Sequence, residues 1–238
     1  MSAGVLSGRI ALVTGASRGI GAATARTLGQ AGAHVVAVAR TVGGLEELDD
    51  EIRAAGGSAT LVPLDLKDAP GIARLAAALA ERYHRLDVLV GNAGILGPLS
   101  PLDHVEPKAW AEVLAVNLTA NWQLIRSMNA LLKQSTAARV VFVTSGITAH
   151  PRAYWGPYAV SKAALETLAR TYAAETASTA IRVNLFNPGA TRTRMRADAM
   201  PGEDPAGLKT TAPVAEKILQ LCLPQVQETG KVYDYSDM

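Results

Sequence analysis

A single cysteine, Cys222, in 238 residues leaves the chain unable to form an internal disulfide. That is compatible with a reducing compartment. Charge of one sign is also scarce: the formal net charge is +2, too small an excess to draw the chain to nucleic acid or to an anionic membrane. No stretch approaches ~18 uninterrupted apolar residues, so nothing in the sequence reads as a membrane span. The opening MSAGVLSGRIALVTG has no basic segment followed by a signal-like apolar run, and reads as a polar lead-in to a strand. Internal repeats, low-complexity tracts and long linkers are missing too, and no metal site is expected. These absences leave a cytoplasmic protein with no nucleic-acid or membrane partner as the simplest expectation.

What is there is globular. The hydrophobic fraction is 49% and the charged fraction 18%. A chain of this size buries roughly three quarters of its unfolded surface, enough for a large core. Length alone does not exclude two small domains, but the whole of 1–238 fits one α/β domain.

Short β-branched runs alternate with longer Ala- and Leu-rich segments. Strands are predicted at Arg9–Thr14, His34–Ala39, Ala59–Leu64, Val88–Gly91, Arg139–Thr144, Ile181–Phe186 and Lys231–Tyr235. Helical patterns run over Ile20–Ala31, Gly44–Ala55, Pro70–Tyr83, Pro107–Lys133, Tyr158–Thr176 and Ala212–Leu221. This alternation predicts βαβ units in a parallel sheet covered on both faces. With right-handed crossovers that is a doubly wound, Rossmann-type sheet. The least regular stretch, Gly189–Thr211, carries Pro201, Gly202, Pro205 and Gly207 among charges. It follows a strand, where open α/β sheets carry ligand-facing loops, and is read as a mobile substrate loop at 189–211. An inert surface loop is the plainer reading of the same residues.

The first strand ends in Thr14-Gly15-Ala16-Ser17-Arg18-Gly19-Ile20-Gly21, directly before a helical pattern. Glycines let the chain turn sharply and let a phosphate approach the backbone, and the amides and dipole of the helix N-terminus favour an anion. The first two informative glycines are set wider than in the usual dinucleotide fingerprint, so the context of strand before and helix after carries the argument. In NAD binders an acidic residue at the end of the second strand meets the ribose hydroxyls. Here that strand ends in Arg40-Thr41, and the next acids, Glu46 and Glu47, lie in the following helix. Arg18 falls on the same side. Two guanidinium groups and a hydroxyl suit a 2′-phosphate, so NADP(H) is expected over NAD(H). Two ordinary surface arginines are the bland alternative.

Tyr158-Ala159-Val160-Ser161-Lys162 sets Tyr and Lys four residues apart at the start of a helical pattern, on one face. A free phenol titrates near 10 and is a poor base at neutrality. A nearby ammonium is expected to pull it down. Ser145 follows the strand VVFVT, at a strand end where open sheets place catalytic groups. It is read as a hydrogen-bond partner for a substrate oxygen, or else as a turn serine.

With these motifs in order, the chain resembles the short-chain dehydrogenase/reductase family in its compact single-domain branch. The resemblance runs from about Ser7 to the last strand. It rests on the TGxxxGIG turn at Thr14–Gly21, Asp65, Asn92-Ala93-Gly94, Asn117, Ser145, the YxxxK of Tyr158–Lys162, and Pro188-Gly189. It implies that Tyr158 exchanges a proton with the substrate oxygen. Lys162 lowers the phenol's pKa and meets the nicotinamide ribose, Ser145 holds the substrate oxygen, and Asn117 holds a water that extends a proton relay through Lys162. It further implies cofactor contacts from Gly15, Ser17, Arg18, Gly19, Ile20 and Gly21 in the turn and from Arg40 and Thr41. Asp65 and Leu66 would meet the adenine, and Asn92, Ala93 and Gly94 would line the adenosine side. Pro188, Gly189, Thr191 and Thr193 would meet the nicotinamide end.

Two departures stand out. Gly91 occupies the place of the family's usual first Asn before Asn-Ala-Gly, and the chain ends GKVYDYSDM, without the glycine-rich terminus of many fatty-acid-type ketoreductases. The second weakens any transfer of their acyl-carrier substrate. The expected function is NADP(H)-dependent hydride transfer between nicotinamide and a carbonyl or secondary alcohol, by a homodimer or homotetramer. Two other readings are carried. One is a non-catalytic, dinucleotide-binding redox sensor, although such relatives lose the Tyr or the Lys. The other is a nucleic-acid or scaffold role, supported only by Arg192-Thr193-Arg194-Met195-Arg196. The segment Gly146–Gly156, with Ile147, Tyr154 and Trp155, is expected to line the pocket with Leu96, favouring a mainly apolar small-molecule substrate. His150 is expected to be a surface histidine.

Overall fold

The β-branched runs line up side by side in one sheet. In the computed structural model, which describes residues 4–238, they are β1 Ile10–Thr14, β2 His34–Ala39, β3 Ser58–Pro63, β4 Val88–Gly91, β5 Arg139–Val143, β6 Arg182–Asn187 and β7 Val232–Asp234. All pairings are parallel and the order is β3-β2-β1-β4-β5-β6-β7. Alternate side chains of each strand enter opposite cores. Leu12, Val36, Val38, Val140 and Phe142 enter one core, and Val13, Val35, Ala37, Val141 and Phe186 the other.

The helices cover both faces, as the doubly wound expectation requires. The first core packs beneath α3 (Ala69–Tyr83), α5 (Ala120–Lys133) and α6 (Gly156–Glu175). The second packs beneath α1 (Gly19–Gln30), α2 (Val42–Ala54) and α8 (Thr211–Cys222). Cys222 is fully buried in that second core, where burial pushes its thiol up to about 12. It is a packing residue, not a reactive one.

Two elements differ from the sequence reading. The helix expected over Pro107–Lys133 is interrupted. It runs as α4 (Pro107–Leu114), widens into a π-helical turn at Ala115–Thr119, and resumes as α5. The region read as irregular, Gly189–Thr211, holds a short helix, α7 (Arg194–Ala199), and a 3₁₀ turn at Pro205–Gly207. Thr193 caps α7 by accepting from the Arg196 amide at 3.2 Å. The Arg196 guanidinium then meets both Glu203 carboxylate oxygens at 2.5 Å. Among the described residues no helix is long and apolar enough to cross a membrane. No group of three or more His, Cys, Asp or Glu residues there could hold a metal ion.

Candidate active site

The sheet order reverses direction between β1 and β4, and a crevice opens there at the strands' C-terminal ends. Thr14 and Asn92 stitch its floor. The Thr14 hydroxyl accepts the Asn92 and Ala93 amides, each at 3.1 Å, and the Asn92 side chain donates to the Thr14 carbonyl at 2.9 Å. The chain leaves β1 through Gly15 at φ +66, a left-handed turn in which a Cβ would sit 2.9 Å from the Ala93 Cα. Gly21, on α1, has no room for a side chain either: a Cβ would lie 2.2 Å from the Gly15 carbonyl oxygen. Gly21 therefore packs behind the turn and does not line the crevice, whereas Gly15, Ser17, Arg18, Gly19 and Ile20 do.

The cleft has a volume of about 600 Å³ and runs the length of the sheet's reversal. Arg40, Thr41, Asp65 and Leu66 border one end; Asn92, Ala93 and Gly94 the middle; Pro188, Gly189, Thr191 and Thr193 the other end. The N-terminus of α1 faces it with no side-chain cap and no acid in its first turn, so the first amides stay free for an anion. Arg18 and Arg40 are exposed beside it, and neither forms an ion pair among the described residues. An uncapped helix end, a glycine turn packed without spare room and two free guanidiniums fit a phosphorylated dinucleotide.

On the opposite wall, β5 and α6 bring Ser145, Tyr158 and Lys162 to the same cleft. Tyr158 is 8% exposed, edge-on to Trp155 with ring centroids 6.0 Å apart. Burial pushes its phenol above the ordinary value, and a hydrogen bond with the Ser145 side chain pulls the other way. This is the opposite of the lowering expected from Lys162. The ammonium lies 5.8 Å from the Tyr158 ring centre and is engaged with the Val143 carbonyl at 2.8 Å, and burial sets the direction of the phenol's shift. Burial also brings Lys162 down, to about 8.

Asn117 is not on the cleft wall. It is fully buried in the π-helical turn. Its Oδ1 accepts the Ile95 amide at 2.8 Å, and its Nδ2 donates to the Ile95 carbonyl at 2.9 Å and to Ser161 at 3.0 Å. It thereby ties the segment after β4 to α6. Gly94 lies between Asn117 and Lys162: a Cβ there would be 3.4 Å from Asn117 Oδ1 and 3.6 Å from Lys162 Nζ. Gly91 is explained by its neighbours. A Cβ would meet Phe142 at 2.4 Å and Asn121 Oδ1 at 2.6 Å, so those two side chains occupy the space a larger residue would need.

The expected pocket segment is only partly right. Trp155 and Leu96 line the cleft, but Ile147 is buried away from it and Tyr154 is exposed outside it. His150 is on the surface. Arg194, Met195 and Asp198 of α7 line the cleft, a role that the sequence reading gave to a loop. Asn187, at the end of β6, also lines it; its Oδ1 accepts the Gly189 amide at 3.0 Å, and its Nδ2 donates to Asp234 of β7 at 2.5 Å. Its place directly before Pro188-Gly189 was the available signal.

A parallel sheet with this strand order, a phosphate-ready glycine turn and a Ser–Tyr–Lys wall define a dinucleotide-binding oxidoreductase class of site. The sequence profile of the short chain dehydrogenase family matches residues 9–204, and the chain belongs to that family. It is 37% identical over 234 residues to the oxidoreductase YciK of Escherichia coli K12, covering 97% of this chain and 92% of that protein. A solved short chain dehydrogenase of Shigella flexneri 2a in complex with NADP is 36% identical, with a TM-score of 0.94 over 99% of this chain and 100% of that one. One from Escherichia coli CFT073 in complex with NADPH is 37% identical, with a TM-score of 0.92 over 99% of each chain.

Proposed function

We propose that the protein is an NADP(H)-dependent oxidoreductase that interconverts a carbonyl compound and its secondary alcohol. The observation that carries this reading is the convergence of Ser145, Tyr158 and Lys162 on one wall of the cleft whose other end fits a phosphorylated dinucleotide. The NADP and NADPH complexes of its two structural relatives support the same cofactor here. Bound nicotinamide supplies or accepts the hydride.

The chain's own residues do the rest. Ser145 holds the substrate oxygen. Tyr158, kept neutral by burial, gives its proton to that oxygen as negative charge develops there. Lys162, an ammonium below about 8, stabilises the phenolate left behind and meets the nicotinamide ribose. Asn117, its side-chain amide fully engaged by Ile95 and Ser161, braces the wall from behind and holds no relay water with that amide. Arg18 and Arg40 read the 2′-phosphate, with Thr41 beside them. Asp65 and Leu66 flank the adenine, and Thr191 and Thr193 close over the nicotinamide end. The 189–211 segment acts as the moving cover of the substrate, which is mainly apolar in keeping with Leu96, Trp155 and Met195. A screen of ketones, aldehydes and quinones with NADPH, read at the nicotinamide absorbance, tests the reading. An NADPH-binding chain inactive across the panel would favour the redox-sensor reading.

The ammonium's role has a pH signature. Reduction is expected to hold below about 8 and to fall as pH rises through it, because Lys162 is charged below its lowered pKa and neutral above. A pH–rate profile of Lys162→Met should be slow throughout and lack that alkaline limb. A wild-type profile flat to pH 10 would refute the assignment.

The working form is proposed to be a cytoplasmic homodimer or homotetramer. Trp122 of α5 and Val160 of α6 are each 44% exposed, leaving apolar surface on the two long helices for a two-fold contact. Light scattering at micromolar concentration should report twice or four times the chain mass; a monomer would refute this.

A further inference from the structure

Helix α6 places Tyr158, Lys162 and Glu166 at successive four-residue steps, so the three side chains follow one face. The mechanism uses the first two. The third is a glutamate only 9% exposed, directed at the segment that carries Ser145. Its Oε1 accepts from the Thr144 hydroxyl at 2.8 Å and from the Thr148 hydroxyl at 2.8 Å. Its Oε2 lies 3.4 Å from the Arg170 guanidinium, one turn further along α6.

Thr144 and Thr148 bracket Ser145. Thr144 ends the approach from β5, where its amide donates to the Phe186 carbonyl at 2.9 Å. Thr148 closes the 3₁₀ turn Gly146–Thr148 that Ser145 begins. The Thr148 hydroxyl lies 3.0 Å from the Ser145 carbonyl as well, but it has one proton to give. That carbonyl already accepts the Thr148 amide at 3.1 Å, and a carboxylate is the stronger acceptor, so the proton goes to Glu166. A buried carboxylate is costly to hold, and apolar packing would stabilise the fold at least as well. What a carboxylate oxygen adds is direction: it gathers two hydroxyls, from either side of the serine, onto one atom.

We propose that Glu166 is a positioning residue that fixes the Ser145 hydroxyl relative to the Tyr158 phenol, by gripping both flanks of the serine from the helix that carries the tyrosine. This rests on the catalytic reading above. Glu166 touches neither substrate nor cofactor and acts through Ser145.

The test is a double-mutant cycle on the active NADPH-dependent enzyme. Glu166→Ala should lower kcat roughly ten- to a hundred-fold, the scale of a small misplacement of a reacting group, with the NADPH Kd unchanged. Glu166→Gln keeps an amide oxygen where Oε1 stands and should restore part of the rate, the share carried by the Thr144 hydroxyl. In a Ser145→Ala background, Glu166→Ala should cost little more, because the group it positions is already gone. Thr148→Val, which keeps the side chain's shape, should give a smaller loss in kcat that also disappears in the Ser145→Ala background, and it carries the test if Glu166→Ala does not fold. The proposal is overturned if Glu166→Gln is as slow as Glu166→Ala, if NADPH affinity falls in step with kcat, or if the losses add in full to that of Ser145→Ala. Turnover that survives Tyr158→Phe would overturn the catalytic reading itself. Turnover lost there while Glu166 and Ser145 act independently would overturn only the positioning role.

Discussion

Tyr158→Phe is expected to fold, bind NADPH as the parent does, and lose turnover by ~10²–10⁴-fold, the usual contribution of a positioned general acid. The reasoning is local. The phenol ring is buried and packs edge-on against Trp155, and phenylalanine keeps both ring and packing. The lost hydroxyl interacts with Ser145, whose own side chain is only half-buried and can turn to water. The stability change should therefore be about 1 kcal/mol or less. The hydroxyl's chemistry has no substitute. Lys162 is engaged with the Val143 carbonyl at 2.8 Å, and the Ser145 alcohol is a weaker acid than a phenol, so neither replaces Tyr158 as the proton source. Ser145→Ala should cost less, since the donor remains, and Lys162→Ala should lose both rate and cofactor affinity. Calorimetry, an NADPH titration and steady-state rates on the best substrate of the panel check all three. A folded, NADPH-bound Tyr158→Phe protein working near the parent rate would sink the mechanism.

Arg40→Asp is expected to weaken NADPH binding about ten- to a hundred-fold, the equivalent of one charge-assisted hydrogen bond, and to leave NADH binding equal or improved. Arg40 stands at the end of β2, where an acid would meet an unphosphorylated ribose. Its exposure sets the size of the effect. A solvated guanidinium is screened, so the loss should lie towards the lower figure at physiological salt and grow as salt is withdrawn. Arg18 shares the load from the α1 side of the cleft, so the double variant should lose more than either single one. Titrations with both cofactors at two salt concentrations decide it. Equal NADPH and NADH affinities in the parent chain would remove the basis for the assignment.

The sheet was legible because its inner strands are buried on both faces and read as continuous valine-rich apolar runs such as Val35–Val38 and Val140–Val143. Their ends fell within a residue or two of the structure. The interruption of the Pro107–Lys133 helix was not legible. Val113, Val116, Ala120 and Leu124 keep a helical apolar spacing through it, with no glycine or proline to mark the break. Its visible anchor is the amide of Asn117 bonding across to Ile95, which no local pattern encodes. Helix α7 was missed for a different reason. Six residues, half of them charged, are too short to show a period, although Thr193 as a cap was there to be seen. At the site, the motif residues were legible because each has a fixed place in the fold. The direction of the Tyr158 shift was not, because it depends on how deeply the ring is buried and not on the neighbour four residues on.

The π-helical turn at Ala115–Thr119 also constrains how this chain can change over time. It accommodates a surplus residue within an otherwise regular rod. Deleting one residue would restore ordinary winding, which makes the turn look expendable to anyone trimming the gene or stabilising the helix. Yet each residue advances a helix by about 100°. The shortened rod would have to choose between keeping α5 seated in the core and keeping the Asn117 amide aimed at Ile95 and Ser161. Point substitutions can accumulate on either side of the turn, but its length is expected to be locked, so that insertions and deletions in descendants of this chain avoid Ala115–Thr119.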